Sequence, residues 1–442
     1  MRTFMRVLIV AVLLVPGAAS AELAATVHKS TADVHAQPSF ESERLQTLQR
    51  GESVSITAQV DLWYQLSLPA SAPGYVRVND VRLAATGASD GDANLRVLMG
   101  EKAGRGRVTE TAGVRGIDES DLKSASLDRT QLAAMDGQRV DVPTAGTYAS
   151  EQGWQATSVA YAAEPRPSIS AAKKSPPATT RSDAVKAVGS LLGSLGSDLG
   201  SKLSATEKVV PKAEGELAAE ELALGPEIAG RVLGARPLWN EPAAQRRVNL
   251  VGRWVASQTS RPGLPWTFGV IDDSEINAFA APGGYVLVTR GLYELLSNDA
   301  ELAAVLGHEI GHCVQRDHYN VIHKQEIAAT GKDLALREAA GTSSNRATEF
   351  ARRYAEEHGA VIMLTALDRE AEFRADEASQ YYLARSGMNP LALYSVLQKL
   401  AALGPASPGL VQLYRTHPPF DARIDRLDQR SDGPLAAYSQ RN

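Results

Sequence analysis

The chain of 442 residues contains one cysteine, Cys313. No intramolecular disulfide can form in any compartment, so the fold must rest on its core and on any metal it holds. Cys313 follows His312 directly, about 100° around a helix from it, and reads as a buried structural thiol. Basic charge is also scarce: 46 Lys and Arg against 51 Asp and Glu leave a formal charge of -5. That removes the electrostatic footprint of a nucleic-acid or anionic-membrane binder. Long apolar runs are missing too. The one concentrated stretch is VLIVAVLLV, Val7 to Val15, closed by Pro16, where about 20 residues are needed to cross a bilayer. Arg2 and Arg6 flank its start and the small residues Ala18 to Ala21 follow it. Residues 1–21 therefore read as a signal peptide. No cysteine near the cleavage site offers a lipid anchor. The expectation is an exported, periplasmic protein, soluble once cleaved and without a transmembrane segment.

What remains is ordinary for folded protein, with 44% hydrophobic and 22% charged residues, and the length suits two or three domains. Residues 22–86 carry short β-rich runs separated by turn residues. A strand near Ala32 to His35 leads to a loop at Pro38. LQRGESVSI, the Trp63-Tyr64 pair and GYVRVNDV follow. This order resembles bacterial SH3-like domains, which bind peptides or cell-wall fragments in some proteins and only pack against a neighbour in others. Residues 87–160 form a connecting region without a motif, in which Asp118 can cap a short helix. Residues 161–213 are rich in Pro, Ala, Ser and Gly and read as a flexible linker. From Glu214 to residue 430 the pattern is helix, strands, then several helices. Residues 431–442 are a tail. The predicted fold class is α+β: a mostly helical domain with a small sheet, preceded by a small all-β barrel.

The chemistry is concentrated in LGHEIGHC, Leu306 to Cys313. Asn298 can cap this helix, with Glu301 as the reciprocal partner of a capping box. His308 and His312, at i and i+4, project within about 40° of each other, so both imidazoles can reach one ion. Glu309 is placed to flank that ion without ligating it, where a carboxylate can act as a general base. Gly307 and Gly311 each cost a helix about 1 kcal/mol relative to alanine, and imply a close neighbour along that face. A hydrolytic zinc site needs a third protein ligand. His318, His323 and His358 carry no pattern that recommends them. Glu372 and Asp376, again at i and i+4 on a predicted helix, can be a ligand and an acceptor for a ligand histidine's ring N–H. By spacing alone they can equally be a solvated charged face.

His308-Glu309-x-x-His312 followed by Glu372-Phe373-x-Ala375-Asp376 resembles the CAAX prenyl protease and HtpX-like family of gluzincin metallopeptidases. INAFAAPGGYVLVTRGL before the motif helix and RTHPPFDARIDRL after the second helix fit the same pattern, over roughly Glu214 to Leu427. The resemblance implies one zinc ion on His308, His312 and Glu372, Glu309 as general base and Asp376 as the orienting carboxylate. It implies that Tyr285 to Thr289 is an edge strand against which an extended substrate lies. His417 is open between an oxyanion donor, a fourth zinc ligand and a structural histidine. Arg423 is open between an oxyanion role and a partner for a carboxylate. Members of this family carry membrane helices, which this chain lacks after its signal. The expected activity is therefore zinc-dependent endoproteolysis of exported, misfolded or unassembled proteins. The alternative is a latent or chaperone-like client binder. Oligomeric state is not legible.

Overall fold

A computed structural model of the chain describes residues 22–68, 72–84, 91–99, 116–159, 214–330, 343–404, 407–431 and 433–441. The expected signal peptide and the expected linker at 161–213 lie outside the described residues. The first seven strands are β1 (Leu23–Val27), β2 (Thr31–His35), β3 (Arg44–Gln49), β4 (Ser53–Val60), β5 (Trp63–Leu66), β6 (Gly74–Arg77) and β7 (Val81–Leu83). They form one antiparallel sheet in the order β3-β2-β6-β5-β4-β1-β7. Alternation sets which face is buried. Leu23, Ala25 and Val27 point inward from β1, and Ala32 and Val34 from β2, to meet Ile56, Tyr64, Leu66 and Val76.

The connecting region is more structured than its sequence suggests. Among the described residues it holds α1 (Gly91–Met99), α2 (Glu119–Ser124), α3 (Arg129–Asp136) and α4 (Val142–Glu151). Asp118, Asp128 and Asp141 cap the last three, each satisfying backbone N–H groups that helix geometry leaves free. These helices bind the body that follows: Asp128 donates its backbone N–H to the Gly230 carbonyl at 2.9 Å.

That body begins with α5 (Glu214–Ala235) and α6 (Pro242–Ser257). Next come β8 (Thr267–Ile271), β9 (Ala278–Ala281), β10 (Tyr285–Thr289), α7 (Arg290–Leu295) and α8 (Asp299–Gln315). The remaining helices are α9 (Asp317–Thr330), α10 (Ser343–His358), α11 (Arg369–Arg385), α12 (Leu391–Leu403), α13 (Val411–Thr416), α14 (Phe420–Ser431) and α15 (Ala436–Ser439). No described helix is long and apolar enough to cross a membrane.

All residues of β8, β9 and β10 are buried, as expected of a sheet covered on both faces. Phe268, Val270, Val286 and Val288 pack with Val248 and Val251 of α6 and Leu302 and Leu306 of α8. Phe279, Ala281, Tyr285 and Leu287 pack with Leu224, Ile228 and Val232 of α5. The order β8-β10-β9, with β10 parallel to β8 and antiparallel to β9, corrects one expectation. Tyr285 to Thr289 is the central strand, hydrogen-bonded to β8 on one side and to β9 on the other. The edges fall to β8 and β9.

The N-terminal sheet is joined to the helical body through α12. Gln398 donates through Nε2 to the Val78 and Val81 carbonyls, both at 2.9 Å, and accepts from the Leu83 N–H at 3.1 Å. Gln59 Nε2 donates to Ser395 Oγ at 2.7 Å, and Ser395 Oγ donates to Glu301 Oε1 at 2.8 Å. A polar chain thus runs from β4 to the first turn of α8.

Candidate metal centre

The site rests on α8. Asn298 caps it, accepting the Glu301 N–H at 3.0 Å, while Glu301 Oε2 accepts the Ser297 N–H at 2.7 Å. The reciprocal bond of the expected capping box therefore falls one residue before the cap. Lys399, fully buried, donates to Glu301 Oε2 at 2.7 Å and to Ser297 Oγ at 2.6 Å. The helix ends where Arg316 adopts a left-handed conformation, φ 58°. This turn carries Asp317 back to His312, whose Nδ1 lies 2.9 Å from Asp317 Oδ2.

The glycines open the face that α11 approaches. A side chain at Gly307 would meet Ser379 Oγ at 3.0 Å, and one at Gly311 would meet Ala375 Cα at 3.3 Å. This contact brings Glu372 and Asp376 to the histidines. His308 Nε2 lies 3.5 Å from Glu372 Oε2, His312 Nε2 lies 3.6 Å from Glu372 Oε1, and the two Nε2 atoms are 3.2 Å apart. Asp376 Oδ1 is 2.9 Å from His308 Nδ1. It is also clamped by Arg423, which donates Nη2 to Oδ1 at 2.6 Å and Nε to Oδ2 at 2.9 Å. His417 places Nε2 3.4 Å from Glu372 Oε2 and Nδ1 2.8 Å from Thr416 Oγ1.

This donor set fits a tetrahedral cation. With Nδ1 of each histidine on a carboxylate, the Nε2 lone pairs face one another and Glu372. That arrangement is repulsive unless a proton or a cation lies among them. Glu372 Oε2 is buried without a hydrogen-bond donor. Four ligands at about 2.0–2.1 Å from one zinc lie about 3.3–3.4 Å apart, close to the separations found here. Among the described residues, His308, His312, Glu372 and His417 form one of two groups of this kind. The other, His28 with Asp425 and Asp428, already has the Arg82 guanidinium paired with both aspartates.

Electrostatics point the same way. Burial alone would hold His308 neutral, but the carboxylates of Asp376 and Glu372 outweigh it and raise its pKa to about 9. His312 is raised in the same manner, against burial, by Asp317. Asp376 falls to about 2 despite burial because of the Arg423 charge, and Glu372 is held well below the usual carboxylate range by the imidazoles around it. Burial raises Glu309 and lowers His417 to about 3. The three carboxylates draw positive charge onto the imidazoles, and a divalent cation supplies it without protonating them.

Glu309 opens onto two spaces. One is a cleft bounded by Asn277 and by Ala278 to Ala280 of β9, with His318, Met363 and His417 around it. The other is an apolar pocket walled by Leu292, Val305, Leu393 and Leu397 and reaching His308 and Arg423. Cys313 is buried, 3.4 Å from the Ala281 carbonyl, with its thiol pKa raised by burial. His318 is buried with its ring 5.9 Å from that of His312, outside the four-residue group. His323 stacks on Tyr319, and His358 is half-buried with its ring 4.6 Å from that of Tyr354. Asp317 was not singled out by sequence reasoning. Its only signal is an acidic residue just past the helix that carries both histidines.

The described geometry agrees with comparisons to known proteins. Residues 242–431 match the model of peptidase family M48. The beta-barrel assembly-enhancing protease of Escherichia coli K12 is 28% identical over 222 residues, covering 48% of this chain and 44% of that protein. Metalloprotease YcaL of the same organism is 31% identical over 171 residues, 38% of this chain and 63% of that protein. A protease HtpX homolog of Thermodesulfovibrio yellowstonii is 31% identical over 235 residues, 43% of this chain and 76% of that protein. The chain thus spans less than half the length of the assembly-enhancing protease it matches.

Proposed function

The chain belongs to peptidase family M48, a family of HExxH zinc metallopeptidases, and from that premise we propose that it is a zinc-dependent endopeptidase of the cell envelope. The observation that carries the proposal is the convergence of His308 Nε2, His312 Nε2 and a donorless Glu372 oxygen beside Glu309, at the edge of a sheet. His308, His312 and Glu372 would hold the zinc. When bound, zinc polarises the scissile carbonyl and the attacking water and offsets the charge that develops in the transition state.

Each remaining role follows from position. Glu309, buried and with a raised pKa, takes a proton from the attacking water and returns it to the leaving amine. Asp376 and Asp317 accept the Nδ1–H of His308 and His312 and so fix the tautomer that leaves each Nε2 free. Arg423 holds Asp376 rather than the oxyanion, since both of its carboxylate contacts are with Asp376. His417, with Nδ1 on Thr416, directs Nε2 into the cleft, where it donates to the developing oxyanion. The substrate main chain lies along β9, the sheet edge beside Glu309, adding backbone hydrogen bonds. A neighbouring side chain enters the apolar pocket, which favours aliphatic and aromatic residues there.

The domain boundaries we assign are a signal peptide at 1–21, an SH3-like barrel at 22–86 and a peptidase domain at 214–430. The substrates are exported proteins that are misfolded or unassembled. This accords with the name of the assembly-enhancing relatives and with an extended-chain binding edge. The test is casein hydrolysis by the zinc-loaded chain beside its Glu309→Gln variant at equal metal content. Hydrolysis by the parent and loss of at least about a hundredfold in the variant is the expected result, general-base removal being worth about 10²–10⁴. Equal rates in both would end the assignment of Glu309.

A further inference from the structure

The left-handed turn that closes α8 is made by an arginine. Helices that end in this conformation mostly place glycine or asparagine there, because a β-carbon crowds the backbone. Among the described residues, only Asp61 and Arg316 reach positive φ without being glycine. A residue so placed persists where its surroundings over-determine it, and at Arg316 they act on the side chain.

Arg316 is 7% exposed, and its Nε lies 2.7 Å from Oε2 of Glu221 on α5. Its Nη1 also donates to Glu214 Oε1 at 2.6 Å, but that carboxylate stands largely in solvent, where an ion pair contributes little. Glu221 is fully buried and takes a second arginine. Arg261, in the loop after α6, donates Nη1 to Oε1 and Nη2 to Oε2, both at 2.8 Å. The same Nη1 donates to the Cys313 carbonyl at 2.8 Å, in the last turn of α8 beside His312. One buried carboxylate therefore gathers two cations at the end of the helix that carries both histidines. The turn itself delivers Asp317, whose Oδ2 meets His312 Nδ1 at 2.9 Å. The other oxygen of Asp317 has Arg374 Nη2 at the longer distance of 3.6 Å.

We infer that Glu221 is a positioning residue for the metal centre: it holds Arg316 in the left-handed turn, and through that turn keeps Asp317 on His312. The inference rests on the zinc site proposed above. It gives α5, which supplies no ligand, a share in that site's geometry. Without the carboxylate, two buried guanidinium groups face each other with no counter-charge between them, and nothing buried offsets the cost of the turn. For a residue with a side chain that cost is a factor of about 5–30 in population. Apparent affinity falls by the fraction of chains left in the competent state.

The experiment uses the whole chain, with zinc affinity read by competition with a chromophoric chelator and folding checked by circular dichroism. The visible absorption of the cobalt-loaded form records ligand geometry. Glu221→Gln is expected to weaken zinc binding about 5–30-fold and to change the cobalt spectrum. Added to Asp317→Ala, it should cost less than about twofold more, because coupled positions are not additive. Arg316→Met and Arg316→Gly both remove the guanidinium, but only methionine keeps the strained β-carbon. The glycine variant is expected to bind zinc at least about fivefold more tightly than the methionine variant, whereas a general loss of packing gives the reverse order. A parent that binds no zinc would sink the metal centre and the inference with it. A zinc-binding parent matched by Glu221→Gln would overturn the inference alone, as would full additivity of Glu221→Gln with Asp317→Ala. If Glu221→Gln does not fold, the two Arg316 variants decide, and equal or reversed affinities overturn it.

Discussion

Lys399→Met asks whether the first turn of α8 depends on a buried ion pair. Lys399 is fully buried and Glu301 is 1% exposed, so solvent does not screen the pair. Removing the ammonium leaves the Glu301 carboxylate with one hydroxyl, Ser395 Oγ, and one backbone N–H, that of Ser297. Breaking a buried pair from one side costs about 3–5 kcal/mol, because the remaining charge is uncompensated. Replacing both partners with apolar or neutral groups of similar shape is often near neutral. Lys399→Met is therefore expected to lose about 3–5 kcal/mol in urea denaturation. The double variant Lys399→Met with Glu301→Gln should recover most of that loss. Glu301 sits two turns before His308 on the same helix, so zinc affinity should fall with the single variant and return with the double. A single variant within about 0.5 kcal/mol of the parent would refute the reasoning. So would a double variant no more stable than the single.

Two further outcomes follow from the same geometry. Asp317→Ala removes the acceptor of His312 Nδ1 and should weaken zinc binding by about 10–100-fold, as loss of such orienting partners does; competition with a chromophoric chelator reads it. Gly311→Val places two methyl groups where Ala375 Cα and Ala378 Cβ already stand at 3.3 and 3.4 Å from a bare Cβ. It should cost about 1–3 kcal/mol of stability and lower zinc affinity by pushing Glu372 away, measured by thermal melting and zinc titration together.

The legibility of this chain followed the range of the interactions. Two histidines and two carboxylates at helical spacing lie on their own faces by local geometry alone, and Gly307 and Gly311 announced a close neighbour without naming it. The neighbour proved to be α11, the helix that carries Glu372. Asp317 stayed hidden because its role depends on the left-handed turn at Arg316, a conformation that no glycine or asparagine marks there. Strand order was likewise out of reach: GYVLVT reads as a strand, but whether it lies at an edge depends on where β8 and β9 fall. The docking of the N-terminal sheet rests on Gln398 and Ser395, two neutral residues within a leucine-rich helix, and nothing in their spacing signals a partner. Residues 116–159 offered one candidate cap, Asp118, and little else, since their partners on α5 and α6 are distant in sequence.

The central claim is that His308, His312 and Glu372 hold one zinc ion. It is tested most directly by a crystal structure of the zinc-loaded chain with anomalous data collected at the zinc edge. The account predicts one peak per chain, about 2.0–2.2 Å from both Nε2 atoms and a Glu372 carboxylate oxygen. A zinc-replete protein whose peak lies elsewhere, or whose Glu372 stands clear of the ion, would contradict it.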